Sequence, residues 1–501
     1  MTMRKPAILL LGTGSNTGKS LIAAGLCRAF VNRGLTVRPF KSQNMSNNAA
    51  VTREGGEIGR AQALQALACK TPPSVHMNPV LLKPETETGA QIIKQGQRFT
   101  TCKARDYARL KPRLMPAVLD SLETLEKEAE LIIAEGAGSP AEVNLRAGDI
   151  ANLGFAAAAQ IPALLIGDID RGGVIASLAG THLLLEKAEI NIIKGFLINK
   201  FRGDPKLFDE GMNIIQNATN WPPLGLVPWF DEAANLPAED SVDLENAAKP
   251  GRGTINIAVL QLPRIANFDD LDPLRAEKDV RLWMIRPGQP LPGDADLVII
   301  PGSKSVIHDL EVVFQNRWDG DLRAHIRRGG HVLGLCGGYQ MLGNAIEDKN
   351  GMEGKAQTAR ALGLLDIVTT LAPQKTLSHV EGEHPASQTR VTGYEIHLGR
   401  TTGPDTMRPF LHIGEKPEGA CSADGRVCGS YVHGMFSEDA FRHAYLSALK
   451  PRANTGTAYA ALVETTLENL AAHLESHLDL DKILAIAQSR SRIASARISA
   501  P

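Results

Sequence analysis

The chain has 501 residues, 43% hydrophobic and 22% charged, enough for about two to four domains at roughly 100–200 residues each. Lys+Arg at 54 against Asp+Glu at 55 gives a net charge of −1, which argues against a dedicated nucleic-acid binder. Six cysteines without a CxxC pair, and an N-terminus unlike a secretory signal, predict a reducing, cytoplasmic setting with neither a disulfide framework nor a zinc site.

Short apolar runs alternate with helical patterns through the first half. Strands are predicted at Ala7–Leu11, Thr36–Phe40, Leu131–Ala134, Ala163–Gly167 and Ile193–Ile198, and helices at Lys19–Asn32 and Met115–Lys127. Glycine-bounded strands alternating with helices predict a parallel sheet covered on both faces. Between the first strand and the first helix stands Gly12-Thr-Gly-Ser-Asn-Thr-Gly-Lys-Ser20. In a P-loop, backbone N–H groups wrap phosphate oxygens at a helix N-terminus, a lysine reaches the β- and γ-phosphates, and a hydroxyl holds Mg²⁺. Lys19 and Ser20 fill those two places, with Gly12, Gly14, Thr17 and Gly18 forming the turn. The strict spacing would place glycine where Thr13 stands.

Further candidates sit at strand ends. Lys41 follows the second predicted strand, and Glu135 ends the third, where a carboxylate would meet Mg²⁺. Asp168 and Asp170 end another strand and are followed by Arg171; basic residues and a metal are what a migrating phosphoryl group requires. Ile150 to Gly167 carries no charge, but Asn152, Gly154, Gln160 and Pro162 read as a buried helix, a break and a strand rather than a membrane span.

From Pro237 to Gly253 the polar run PAEDSVDLENAAKPGRG reads as a linker. A second alternating series follows, with strands near Ile255–Leu260, Val280–Ile285, Leu297–Ile300 and Val332–Leu335 and helices at Ser305–Phe314 and Gly338–Ala345. Runs at Gly363–Val368, Val391–His397 and Val427–Val432 are predicted to extend that sheet. The fourth strand enters Gly334-Leu-Cys336-Gly-Gly338, the cysteine form of a nucleophile elbow. Small residues relieve crowding at the strained turn, and the helix N-terminus favours a thiolate and an oxyanion. A base must come from elsewhere: His433, with His397 as competitor. The Pro301–Lys304 turn is placed to offer an oxyanion N–H, while His379 and His384 read as surface residues. Leu467, Leu470, Leu474 and Leu478 form one helical stripe of ordinary packing, and SRSRIASARISAP reads as a disordered tail.

The two halves resemble known families. The first is similar to dethiobiotin synthetase and the second to the triad glutamine amidotransferases, a pairing that characterises the cobyrinic and cobyric acid synthases. Pro39-Phe-Lys-Ser-Gln-Asn-Met-Ser-Asn-Asn48, Glu57-Ile-Gly-Arg-Ala-Gln62, Met77-Asn-Pro79, Leu82-Lys-Pro84, Gly138-Ser-Pro-Ala-Glu-Val-Asn-Leu145 and Asp168-Ile-Asp-Arg-Gly-Gly173 resemble the cobyric acid branch. The resemblance implies an α/β chain of two doubly wound domains: a P-loop domain over 1–236, a linker over 237–253, an amidotransferase domain over 254–448 and a helical extension over 449–501. It implies ATP- and glutamine-dependent amidation of corrinoid carboxylates b, d, e and g on the route to vitamin B12, with ATP, Mg²⁺, glutamine and a corrinoid as small-molecule partners. It also implies roles: Cys336 as nucleophile, His433 as proton shuttle, Lys41 as an aid to phosphoryl transfer, and Glu135, Ser20 and Glu57 as Mg²⁺ ligands. Asn199 matches the adenine-contacting turn. Most triad amidotransferases carry Glu two residues after the histidine; Met435 stands there, which leaves either another carboxylate or a dyad.

Two other readings make different demands. A partitioning-type switch ATPase carries a second lysine five residues before the P-loop lysine, where this chain has Gly14. An a,c-diamide synthase would differ in which corrinoid it amidates.

Overall fold

The computed structural model describes residues 4–85, 89–237, 254–452 and 456–498, so the predicted linker, apart from Pro237, lies outside the described residues. In the first half, six strands form one parallel sheet: β1 (Ala7–Gly12), β2 (Val37–Lys41), β3 (Leu131–Glu135), β4 (Ala163–Asp168), β5 (Ile193–Phe201) and β6 (Pro223–Pro228). Their order is β6-β5-β4-β1-β3-β2, with every pairing parallel. β1, β3 and β4 are buried along their whole length, as continuous apolar runs are when helices cover both faces. Successive residues of β1 alternate between the two cores. Ile8 and Leu10 pack with Ile22 and Leu26 of α1 (Lys19–Asn32). Leu9 and Leu11 pack with Leu114, Val118 and Leu122 on the other side.

Two further helices matter in this half. α2 (Arg60–Ala68) follows a two-stranded ribbon, Ala49–Val51 paired with Glu57–Gly59. α3 (Ala104–Glu128) begins well before the predicted Met115, because Tyr107 and Leu110 continue its apolar stripe onto the core.

The second half has a parallel core of β7 (Ile255–Leu260), β8 (Val280–Ile285), β9 (Leu297–Ile300) and β10 (His331–Leu335). After β10 comes α4 (Gly337–Leu342). The expected extension of this sheet is only partly realised. β11 (Val368–His384) and β12 (Thr389–Thr402) pair antiparallel in a separate sheet, which takes in the run predicted at Val391–His397, whereas of the run Gly363–Val368 only Val368 lies in a strand. β13 (Val427–Ser430) joins the parallel sheet beside β10, whereas Val432–His433 crosses to pair with β12. An apolar run announces a strand without naming its neighbour; the mixed buried and exposed positions of β11 and β12 are those of an antiparallel ribbon with one wet face.

The C-terminal helices α5 (Tyr459–His477) and α6 (Leu480–Ile498) return to the first half. Leu467, Leu470 and Leu474 are buried on α1, and a Cβ at Gly25 would lie 2.5 Å from Leu474 Cδ1, so that glycine allows the close approach. Arg28, fully buried, donates to Glu464 at 2.6 Å and Glu468 at 2.7 Å across the same contact. Helix continues to Ile498 where an irregular tail was predicted, and residues 499–501 lie outside the described residues. Among the described residues no helix is long and apolar enough to cross a membrane.

Candidate active sites

The loop between β1 and α1 is shaped by close backbone contacts. Gly18 caps α1 in the left-handed region at φ 87°, and a Cβ there would lie 2.3 Å from Asn199 Nδ2. A Cβ on Gly12 would lie 2.3 Å from Thr17 Oγ1. Lys19 Nζ donates to the Gly14 carbonyl at 3.0 Å and to the Gly138 carbonyl at 3.2 Å, spanning the mouth of the loop. Asn199 Nδ2 donates to the Thr17 carbonyl at 2.9 Å, so the residue matched to the adenine-contacting turn also braces the loop.

Glu135 ends β3 and collects three donors. Its Oε1 accepts from Ser20 Oγ and from Lys41 Nζ, both at 2.8 Å, and its Oε2 accepts from Gln65 Nε2 at 2.8 Å. Such pairing supplies the partners that a carboxylate this buried requires. A serine hydroxyl touching a carboxylate is an oxygen pair suited to Mg²⁺, which takes one or two protein oxygens and completes its shell with phosphate and water. The surrounding cavity of about 950 Å³ is lined by Lys19, Ser20, Lys41, Glu135 and Asn199, with Asp170 and Arg171 at its edge. Gln65, on α2, was not foreseen, since a glutamine inside a helix carries no local signature. Leu470, His473 and Leu474 of α5 also line this cavity, which gives the C-terminal leucine stripe a place at the site.

Glu57 requires a correction. Instead of joining Ser20 and Glu135, it is buried between two lysines, with Oε2 accepting from Lys83 at 2.9 Å and Oε1 from Lys375 at 2.6 Å. Burial opposes its charge, but Lys375 and Lys83 outweigh that and hold its pKa down to about 2. Both oxygens sit in an ion triplet joining the two halves, and Glu57 is not among the residues lining the cavity that Ser20 and Glu135 share.

In the second half, Cys336 stands between β10 and α4 as the N-cap of that helix, at φ 50° and ψ −104°. A non-glycine residue held at positive φ in this way marks the strained turn of a nucleophile elbow. The flanking glycines are required by space. A Cβ on Gly338 would lie 1.9 Å from the Ile300 carbonyl oxygen, and one on Gly337 would lie 2.8 Å from Ser303 N. The Pro301–Lys304 turn is thereby pressed against the elbow. Cys336 Sγ is also 3.7 Å from the Ile396 carbonyl oxygen on β12.

Of the two candidate bases, His433 is hydrogen-bonded to a buried carboxylate. His433 is buried, and its Nδ1 lies 2.6 Å from Asp270 Oδ2, while Asp270 Oδ1 accepts from the Gly434 N–H at 2.6 Å. Burial disfavours the imidazolium, but the Asp270 carboxylate and then Cys336 outweigh it, raising the His433 pKa to about 10. The question left by Met435 is answered by Asp270, which precedes the histidine by 163 residues. His397 stacks on Tyr431, with ring centroids 3.8 Å apart, and its Nδ1 meets the Gly399 carbonyl. His384, read from sequence as a surface residue, is half-buried against Phe410 and Phe441.

Comparisons with known proteins match both halves of the chain. Residues 8–244 match a family model described as a CobQ/CobB/MinD/ParA nucleotide binding domain, and residues 256–441 match a CobB/CobQ-like glutamine amidotransferase domain. Proteins described as cobyric acid synthase are similar over nearly their whole length. One from Jannaschia sp. is 58% identical over 478 residues, covering 95% of this chain and 98% of its own. One from Rhodobacter capsulatus is 59% identical over 482 residues, covering 96% of this chain and 100% of its own. One from Paracoccus denitrificans is 58% identical over 482 residues, with the same coverage. Matched in both halves and along the full length of such relatives, the chain belongs to the cobyric acid synthase family.

Proposed function

We propose that this chain uses ATP and glutamine to convert the b, d, e and g carboxylates of adenosylcobyrinic acid a,c-diamide into amides, giving adenosylcobyric acid in cobalamin biosynthesis. The observation that carries the reading is the strained Cys336 beside the buried His433–Asp270 pair, in one molecule with a phosphate-binding loop.

The glutaminase chemistry follows from the hydrogen bonds. Asp270 accepts a hydrogen bond from Nδ1–H of His433, which leaves Nε2 to hold the proton given up by the thiol. The Cys336 thiolate attacks the glutamine side-chain carbonyl, and the oxyanion forms beside the backbone of Gly337 and the Pro301–Lys304 turn. The imidazolium returns the proton to the departing ammonia, leaving a glutamyl thioester for water to hydrolyse.

The synthetase chemistry uses the other half. A corrinoid carboxylate attacks the ATP γ-phosphate to give an acyl phosphate, and ammonia then displaces phosphate to give the amide. Lys19 and Lys41 are placed to balance the charge spread over the transferring group. Ser20 and Glu135 would hold Mg²⁺, which supplies further charge neutralisation at the phosphates. A reducing cytoplasm would keep Cys336 as a thiol.

The test is substrate choice. Incubated with ATP, Mg²⁺ and glutamine, the protein should convert the a,c-diamide to a product with four further amides by mass spectrometry. Amidation of cobyrinic acid alone would assign it to the diamide synthases instead.

A further inference from the structure

Arg60 opens α2 in the ATP-binding half, yet its guanidinium reaches into the other half. One terminal nitrogen donates to the Ala49 carbonyl at 3.0 Å and to the Tyr394 hydroxyl at 2.6 Å, and it lies 2.7 Å from Asp269 Oδ2 in an ion pair. Asp269 directly precedes Asp270, the carboxylate that orients His433. Tyr394 is the strand partner of His433, and the two rings stack with centroids 5.4 Å apart and planes 21° from parallel. The guanidinium carbon lies 5.3 Å from the centroid of that same Tyr394 ring. Arg60 therefore touches both supports of the histidine, the carboxylate turn on one side and the stacked ring on the other.

A second bond fixes the same turn from the same half. The Ala49 N–H donates to Asn267 Oδ1 at 3.1 Å, and Asn267, at φ 52°, caps the short helix Phe268–Leu271 that carries both aspartates. Ala49 is in turn the ribbon partner of Gly59, next to Arg60. The far part of α2 is tied to the phosphate site, because Gln65 Nε2 donates to Glu135 and to the Ser20 carbonyl. A short helix thus has one end on the ATP-site carboxylate and the other on the glutaminase. Asp269 is crowded by charge and hydroxyls from several elements: Arg60, Asp270, His433, Tyr394 and Tyr459.

We propose that Arg60 is a positioning residue for the glutaminase, supplied by the ATP-binding half, which holds the Asp269–Asp270 turn and the Tyr394 ring so that His433 faces Cys336. The inference rests on the glutaminase reading of Cys336. It predicts a glutaminase that is incomplete without the neighbouring domain. A misplacement of order 1 Å in such a constellation costs about 10²-fold in rate.

The experiment uses the full-length chain and reads two activities separately: glutamate release from glutamine, and ATP-dependent amidation fed by ammonium. Arg60→Ala should lower kcat for glutamate release about 10- to 100-fold, leave the glutamine KM within about twofold, and keep ammonium-fed amidation near the wild-type rate. Arg60→Lys, which keeps the charge, should recover a large part of the loss. Asp269→Asn removes the partner's charge with little change of shape, and should reproduce the Arg60→Ala defect if that variant folds poorly. Normal glutamate release in Arg60→Ala or in Asp269→Asn would overturn the proposal while leaving the glutaminase reading intact. Absence of glutamate release in the wild type would overturn that reading itself. A rise in glutamine KM with unchanged kcat would also count against a positioning role.

Discussion

The two halves make the same junction and use it in opposite ways. In each, a buried parallel strand turns into a helix through an N-cap residue at positive φ with no side-chain cap: Gly18 at 87° and Cys336 at 50°. Glycine occupies that conformation at little cost, so the first turn is relaxed and its amides are free to follow the shape of a phosphate group. Cysteine does not, so the second turn stores strain and holds a thiol at the mouth of the helix dipole. One backbone device therefore serves a polyanion when its cap is bare and a covalent reaction when its cap carries a nucleophile.

Lys19→Ala breaks the comparison on the phosphate side with the largest effect. Amidation should fall on the order of 10³-fold with either glutamine or ammonium as nitrogen source, while a glutamine analogue still labels Cys336; steady-state rates and intact mass spectrometry would check this. Loss of labelling would show that the two turns do not act independently.

Asp270→Asn attacks the other side. Glutamate release should fall about 10²- to 10³-fold, because the amide no longer stabilises the His433 imidazolium or fixes its ring toward Cys336. The variant also has a pH signature. In the folded protein His433 keeps its proton up to about pH 10, against 6.5 when unfolded. The pair's contribution to stability is thus complete below pH 6.5 and is lost as pH rises towards 10. In Asp270→Asn that decline between pH 6.5 and 10 should flatten, as read by urea denaturation at several pH values.

The halves differ too in what supports them. α5 covers α1 directly behind the phosphate loop, whereas the elbow helix α4 is enclosed within its own domain. Leu474→Ala should lower stability by about 2–4 kcal/mol, the usual cost of emptying a fully buried leucine site, and would be measured as a lower urea midpoint.

Features specified locally could be read from the chain. The P-loop and the cysteine elbow each lie within about ten residues, and their strands announce themselves as apolar runs because both faces are covered. Features set by distant partners could not. Asp270 meets His433 across 163 residues, and nothing near Asp269-Asp270 marks one aspartate as a histidine's partner. Glu57 looked available to a metal because its second lysine, Lys375, is 318 residues away. The run Val391–His397, within β12, was assigned to the wrong sheet for the same reason, since an apolar run identifies a strand and not the edge it pairs with.

Two sites, one cysteine-based and one nucleotide-based, are thus expected to divide a single amidation between them. Cys336→Ala, assayed with ATP, the corrinoid a,c-diamide and either glutamine or ammonium chloride, tests it most directly. Glutamine-fed amidation should fall on the order of 10⁴-fold while ammonium-fed amidation stays within about twofold of wild type. Equal loss with both nitrogen sources in a folded protein would contradict it.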